Sequence, residues 1–317
     1  MTPFMPWRRA LGLAAALLLT FGSSAHAQAV RAEQVADHVW FVQGQSALGS
    51  SANRNFISNA AFVTTGAGVV VIDALGSPAL AEELLAEIRR VTAEPVRFVV
   101  LTHYHADHIY GVQVLQAAGA QVIAHRAAQD YLQSDTAALR LQASRADLFP
   151  WIDEHTHLVP ADRWLEGDWT LALGRERFHF RHAGPAHTPE DLTVMAEREG
   201  VLFAGDLVFR QRIPFVGQAD SAAWVAALDQ LLSWKPKLVV PGHGPVSDQP
   251  ALDLQLTRDY LQHLRHVMGQ AARDMEPFEE AYARADWSRF MGLPLFGVAN
   301  RINAYNTYLL MERSPSP

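Results

Sequence analysis

Residues 101–111 read LTHYHADHIYG and place His103, His105, Asp107 and His108 within six consecutive positions. The chain has no cysteine, so a metal site must rest on imidazole and carboxylate, and disulfides are excluded. Three further places carry the same ligand types: His187 in GPAHT, Asp206 in AGD and His243 in PGHG. Each follows a run of strand composition and is flanked by small residues, where loops at strand ends bring side chains to a shared cleft. In extended chain His103 and His105 project to the same side. Asp107 and His108 fall where the chain turns into a helix and can face an adjacent position. One zinc takes three or four protein ligands, and seven residues are offered here. The spacing serves two neighbouring metals better than one.

The elements that must position these residues alternate between strand and helix. HVWFVQ and NFISNAAFVTT have strand composition, and TTGAG turns into VVVID, which ends at Asp73. SPALAEELLAEIRRVT opens with a Ser cap and a Pro at the first helical position. An apolar strand over 96–101 runs into the histidine loop. A helix begins near His108, QVIA is a strand, and a longer amphipathic helix is expected over 126–147. Strands are expected near 169–173, 177–182, 191–196 and 201–204, then a helix near 220–233 and the strand KLVVP before GHG. Two runs of strands with their helices predict an α/β fold, two sheets face to face with helices outside, an αββα sandwich. From Asp248 the pattern is helical, a C-terminal extension over 248–317 on the domain at 28–247.

The N-terminus reads as an export signal over residues 1–27. MTPFMPWRR is basic, ALGLAAALLLTFG is apolar, and SSAHA supplies a small-x-small cleavage site after Ala27. The apolar run of about 13 residues is short of the roughly 20 that span a bilayer. The expected mature protein is periplasmic or secreted, without stable membrane insertion. Loss of Arg8 and Arg9 with the leader takes the formal charge from −7 to −9. Such a surface disfavours nucleic acid and anionic lipid as partners, leaving a small-molecule substrate. The sequence sets no oligomeric state.

The motifs HYHADH, GPAHT, AGD and PGHG, in that order, resemble those of the metallo-β-lactamase superfamily, including glyoxalase II, over about residues 35–246. The whole sequence also resembles exported members found with sulfur-oxidation or quinoprotein alcohol-oxidation systems, the SoxH-like group. The resemblance implies that His103, His105 and His187 hold one zinc, that Asp107, His108 and His243 hold a second, and that Asp206 bridges them. Asp73 matches a family aspartate that orients the ligand loop without binding metal. Two zinc ions per chain are implied, with iron or manganese as alternatives for such ligands. The implied chemistry is hydrolysis of an ester, thioester, lactone or amide, with Asp107 both a ligand and the group that orients or accepts the proton of the attacking hydroxide. β-Lactam hydrolysis and a mononuclear-iron, persulfide-dioxygenase-like oxidation are the alternatives.

Other residues receive blander readings. His125, His179, His263 and His266 are structural or solvated, His182 is structural or supports a neighbouring ligand, and Tyr110 packs. The polar segment 52–62 is read either as a flap carrying Asn53 or Asn55 to substrate or as an ordinary loop. In the last helix Arg301, Asn303, Tyr305 and Tyr308 either close the cleft with one face or form ordinary helix surface, and packing is the favoured reading.

Overall fold

A computed structural model of the chain describes residue 1 and residues 28–313. The expected leader, beyond Met1, lies outside the described residues. The elements are β1 (Ala32–Ala36), β2 (Val39–Val42), β3 (Ala60–Thr64), β4 (Val69–Ile72), α1 (Pro78–Val91), β5 (Val96–Val100), α2 (Ala106–Ile109), α3 (Val112–Ala117), β6 (Gln121–His125), α4 (Ala128–Leu132), α5 (Asp135–Asp147) and β7 (Arg163–Leu165). The second half has β8 (Trp169–Leu173), β9 (Glu176–His182), β10 (Leu192–Ala196), β11 (Val201–Phe209), α6 (Ser221–Ser233), β12 (Leu238–His243), α7 (Pro250–Arg273), α8 (Phe278–Arg284) and α9 (Phe296–Arg313).

Seven strands form one sheet in the order β1-β2-β3-β4-β5-β6-β7, and five form the other in the order β12-β11-β10-β9-β8. Strands β4 to β7 pair in parallel, as do β11 and β12, so their C-terminal ends open at one edge of the sandwich. Alternate side chains explain the layering. Val39, Phe41, Val63, Val70, Val100 and Ile123 of the first sheet meet Phe178, Phe180, Val194, Phe203 and Val240 of the second in a central core. The opposite face of the first sheet packs on Leu80, Leu84 and Leu115 of its helices, and β11 packs on Trp224, Leu228, Leu261 and Leu264. Three apolar layers between four structural ones make the αββα sandwich, with α7 to α9 extending its second helical layer.

Several elements differ from the expectation. Ser77 caps α1 as predicted, accepting from the Leu80 amide. The helix expected over 126–147 divides into α4 and α5, because Ser134 caps a new start by accepting from the Ala137 amide. The strand expected through NFISNAAFVTT begins only at Ala60, since residues 51–58 form turns. That segment is tied down rather than a flap. Asn59 donates to the carbonyls of Pro241 and Gly244, both at 2.8 Å, and Asn55 donates to the Gly76 carbonyl at 3.1 Å. Asn53 is spent on its own loop, donating to Leu48 O at 2.8 Å. Among the described residues no helix is long and apolar enough to cross a membrane.

Candidate metal centre

The seven expected ligands converge at the open edge between the sheets. Ligand atoms of His103, His105, His187 and Asp206 lie within 4.8 Å of one another, as do those of Asp107, His108 and His243. His103 and His105 come from the extended chain after β5, and Asp107 and His108 from the single turn of α2. His187 comes from the loop between β9 and β10. Asp206 and His243 lie within β11 and β12 rather than after them. The ladder between those strands breaks register around Gly205, which turns Asp206 into the cleft. Glycine beside it is a steric requirement: a Cβ on Gly242 would stand 2.0 Å from Asp206 Oδ1. Hence the small residues of AGD and PGHG.

The geometry is that of a cation cage. His103 Nε2 and His187 Nε2 stand 3.1 and 3.0 Å from His105 Nδ1. Nitrogens bound at about 2.0–2.1 Å to one tetrahedral zinc are about 3.3 Å apart, so these spacings suit a shared ion. Asp206 faces both groups: Oδ2 is 3.4 Å from His187 Nε2 and 3.3 Å from His243 Nε2, while Oδ1 is 3.2 Å from His108 Nε2. Asp107 Oδ2 lies 3.3 Å from His243 Nε2 and 3.6 Å from His108 Nε2. His108 Nε2 and Asp206 Oδ1 are buried without a hydrogen-bond partner. Buried polar atoms are rarely left so, and a cation between them satisfies both. The donor set fits two metal ions.

Outer hydrogen bonds choose which ring nitrogen faces the cage. Asp73 adopts a left-handed backbone conformation, φ 58°, just past β4. Its carboxylate accepts from the Thr102 amide and hydroxyl, each at 2.8 Å, and from His108 Nδ1 at 2.8 Å. Thr102 Oγ1, having given its proton to Asp73, accepts from His103 Nδ1 at 3.0 Å. Both rings therefore turn an Nε2 lone pair inward. His243 Nδ1 donates to the Ile57 carbonyl at 2.7 Å with the same effect, and the Ser58 hydroxyl holds the Asp107 carbonyl. The segment 52–62 acts through these contacts, not through Asn53 or Asn55.

Electrostatics reinforce the cage. Burial drives His103 and His105 below the usual imidazole range, and His187 down to about 3, leaving neutral rings. For His108 burial acts the same way, but Asp107, Asp206 and Asp73 outweigh it and raise its pKa. Burial would raise Asp206, yet His243, His108 and His103 hold it well below the ordinary carboxylate range.

Tyr110 is buried with its hydroxyl 3.1 Å from Ser144 Oγ, in packing as expected. His182 stacks on His125 at 3.6 Å and contributes no ligand atom to the cluster. Arg301 pairs with Glu279, whereas Asn303 does more than pack. It accepts from the Val216 amide at 2.9 Å and donates to the Pro214 carbonyl at 2.7 Å, so α9 fixes the cleft wall at Phe215 to Gln218. The sequence reading missed Arg212, 1% exposed between the rings of Phe209 and Phe215, with Nη1 3.1 Å from His243 Nδ1. It also missed Tyr131, Arg140 and Glu190, which line the cleft beside His105 and Asp107.

Residues 53–243 match the family described as Metallo-beta-lactamase superfamily. The chain belongs to the metallo-β-lactamase superfamily. It carries that superfamily's fold and a histidine and aspartate cluster suited to its divalent metal ions. A Bacillus cereus protein, Metallo-beta-lactamase type 2, is 25% identical over 226 residues, 69% of this chain and 78% of that one. The Linear primary-alkylsulfatase of a Pseudomonas species is 24% identical over 233 residues, 62% of this chain, and the match spans only 44% of that longer protein. Among solved structures, a Metallo-beta-lactamase from Pontibacter korlensis superposes with a TM-score of 0.58 at 26% identity, covering 74% of this chain and 99% of that one. The inverting sec-alkylsulfatase Pisa1 from a Pseudomonas species gives 0.69 at 16% identity, covering 89% of this chain and 50% of that chain, a likeness of fold.

Proposed function

We propose that the protein is an exported dinuclear zinc hydrolase that cleaves a small ester, thioester, lactone or amide. The observation that carries this reading is the position of Asp206, whose carboxylate faces His187 on one side and His108 and His243 on the other. Imidazole and carboxylate suit zinc, with iron or manganese as the other candidates. The expected leader supports a periplasmic or secreted location, and the charge of −7 supports a small-molecule substrate over nucleic acid.

When bound, two such cations supply a deprotonated water near neutral pH and polarise the substrate's acceptor oxygen. The chain's own groups supply placement. Asp73 and Thr102 lock His108 and His103 with Nε2 inward. Asp107 lines the cleft 3.3 Å from His243, and in this reading it holds the proton of the attacking water and passes it to the leaving group. Ile57, Phe215 and Val216 line the cleft with apolar surface against the substrate body.

The relatives named as β-lactamases make β-lactam hydrolysis the second reading. A panel of 4-nitrophenyl ester, thioester, lactone and nitrocefin tests both. Hydrolysis that a chelator abolishes and zinc restores is the expected result. One bound iron, with oxygen consumed on a persulfide and no hydrolysis, would replace this reading with the oxidative one.

A further inference from the structure

Two cavities meet at the ligand cluster. One, of about 670 Å³, runs past His105 and His187 toward Tyr131 and Phe215. The other, of about 610 Å³, runs along α5 past Leu139 and Ser144. They share Ile57, Asp107 and Arg140, so Arg140 stands at the junction beside the proposed proton carrier. It is the one lysine or arginine lining either cavity among the described residues.

Among the described residues Arg140 has no ion-pair or hydrogen-bond partner. The residue is exposed where it lines the two cavities, so its guanidinium is open to a ligand. The nearby carboxylates do not claim it. Glu190 Oε1 accepts the Tyr104 amide at 3.1 Å, and Asp130 and Asp147 are exposed and form no ion pair with it. Leu139, one residue away on α5, is 63% exposed along the second cavity. A forked cation with five donors and an apolar neighbour fits a carboxylate or sulfate on an apolar body.

We propose that Arg140 receives an acidic group of the substrate, so that the substrate class is an anionic ester, thioester or amide lying across both cavities. This rests on the hydrolase reading above. Matched probes separate the two: 4-acetoxybenzoate and its methyl ester differ by one charge and release the same acetyl group. The zinc-loaded full chain is expected to favour the anion at least tenfold in kcat/KM, after each probe is scaled to its rate with hydroxide. In Arg140→Met, which keeps the apolar stem, that preference falls toward one, and Arg140→Lys retains part of it. An unchanged preference in both variants, or none in the wild type, overturns the role of Arg140 while leaving hydrolysis standing. If neither probe is turned over, the failure falls on the hydrolase reading for aryl esters, and Arg140 is judged by calorimetric binding of benzenesulfonate. Binding at least tenfold weaker in Arg140→Met supports the subsite, and equal binding removes it.

Discussion

His108 Nδ1 lies 2.8 Å from Asp73 Oδ2, a contact made by one residue at the end of a strand and another in a one-turn helix. The same carboxylate takes the Thr102 hydroxyl and, through it, reaches His103. One buried aspartate thus sets the inward nitrogen of a histidine in each half of the cluster. In Asp73→Asn an amide donor faces either Thr102 or His108, and the ring orientation is no longer enforced. Zinc affinity is expected to fall about 10–100-fold, read by competition with a chromophoric chelator. Unchanged affinity at both sites would remove Asp73 from the metal centre.

Gly242→Ala places a methyl group of ideal geometry 2.0 Å from Asp206 Oδ1, with the Gly205 backbone only 2.7 Å away. The carboxylate must move. The variant is expected to bind fewer than two metal ions per chain and to lose at least a hundredfold in activity. A fully loaded and active variant would show that Asp206 does not need its observed position.

Asn303 ties the last helix to the cleft wall through the Val216 amide and Pro214 carbonyl. Asn303→Ala leaves buried backbone groups unpaired, at a cost of about 1–3 kcal/mol. Thermal unfolding should shift down by several degrees, KM should rise, and metal content should stay at its wild-type value. Loss of metal instead would mean that α9 supports the cage rather than the wall.

The stacked pair His125 and His182 predicts acid sensitivity away from the metals. Burial, then the neighbouring His182, lowers His125 from 6.5 to about 4. The unfolded chain therefore binds more protons between those values, and stability rises with pH there. The contribution is complete above about 6.5 and is lost as pH falls toward 4. In metal-free protein, the gap in unfolding temperature between wild type and His125→Gln should close with acidification across that window. A gap that is constant with pH refutes the assignment.

The ligand set was legible because its chemistry is local. The period of two along extended chain puts His103 and His105 together, and the turn into α2 puts Asp107 and His108 beside them. Nothing local distinguishes His105, which offers Nδ1, from His103, which offers Nε2, because that depends on partners such as Thr102. Asp206 and His243 were found but placed after their strands, since the register break at Gly205 leaves no signal beyond a glycine. Arg140 was missed for a related reason. A continuous helix over 126–147 conceals the restart at Ser134, and that restart decides which face of α5 meets the cleft. The loop at Phe215 acquires its place only from Asn303, 88 residues later in the chain; such pairings belong to tertiary structure. By contrast, the αββα layering followed from strand and helix periodicity alone.

Two metal ions sharing Asp206 are central to the proposed chemistry. Elemental analysis of the purified full-length chain, loaded with zinc and freed of excess, tests this most directly. The predicted content is two ions per chain in the wild type, with the shared site compromised and one ion or fewer retained in Asp206→Ala. A wild type that holds one ion at saturation, with Asp107, His108 and His243 intact, would contradict it.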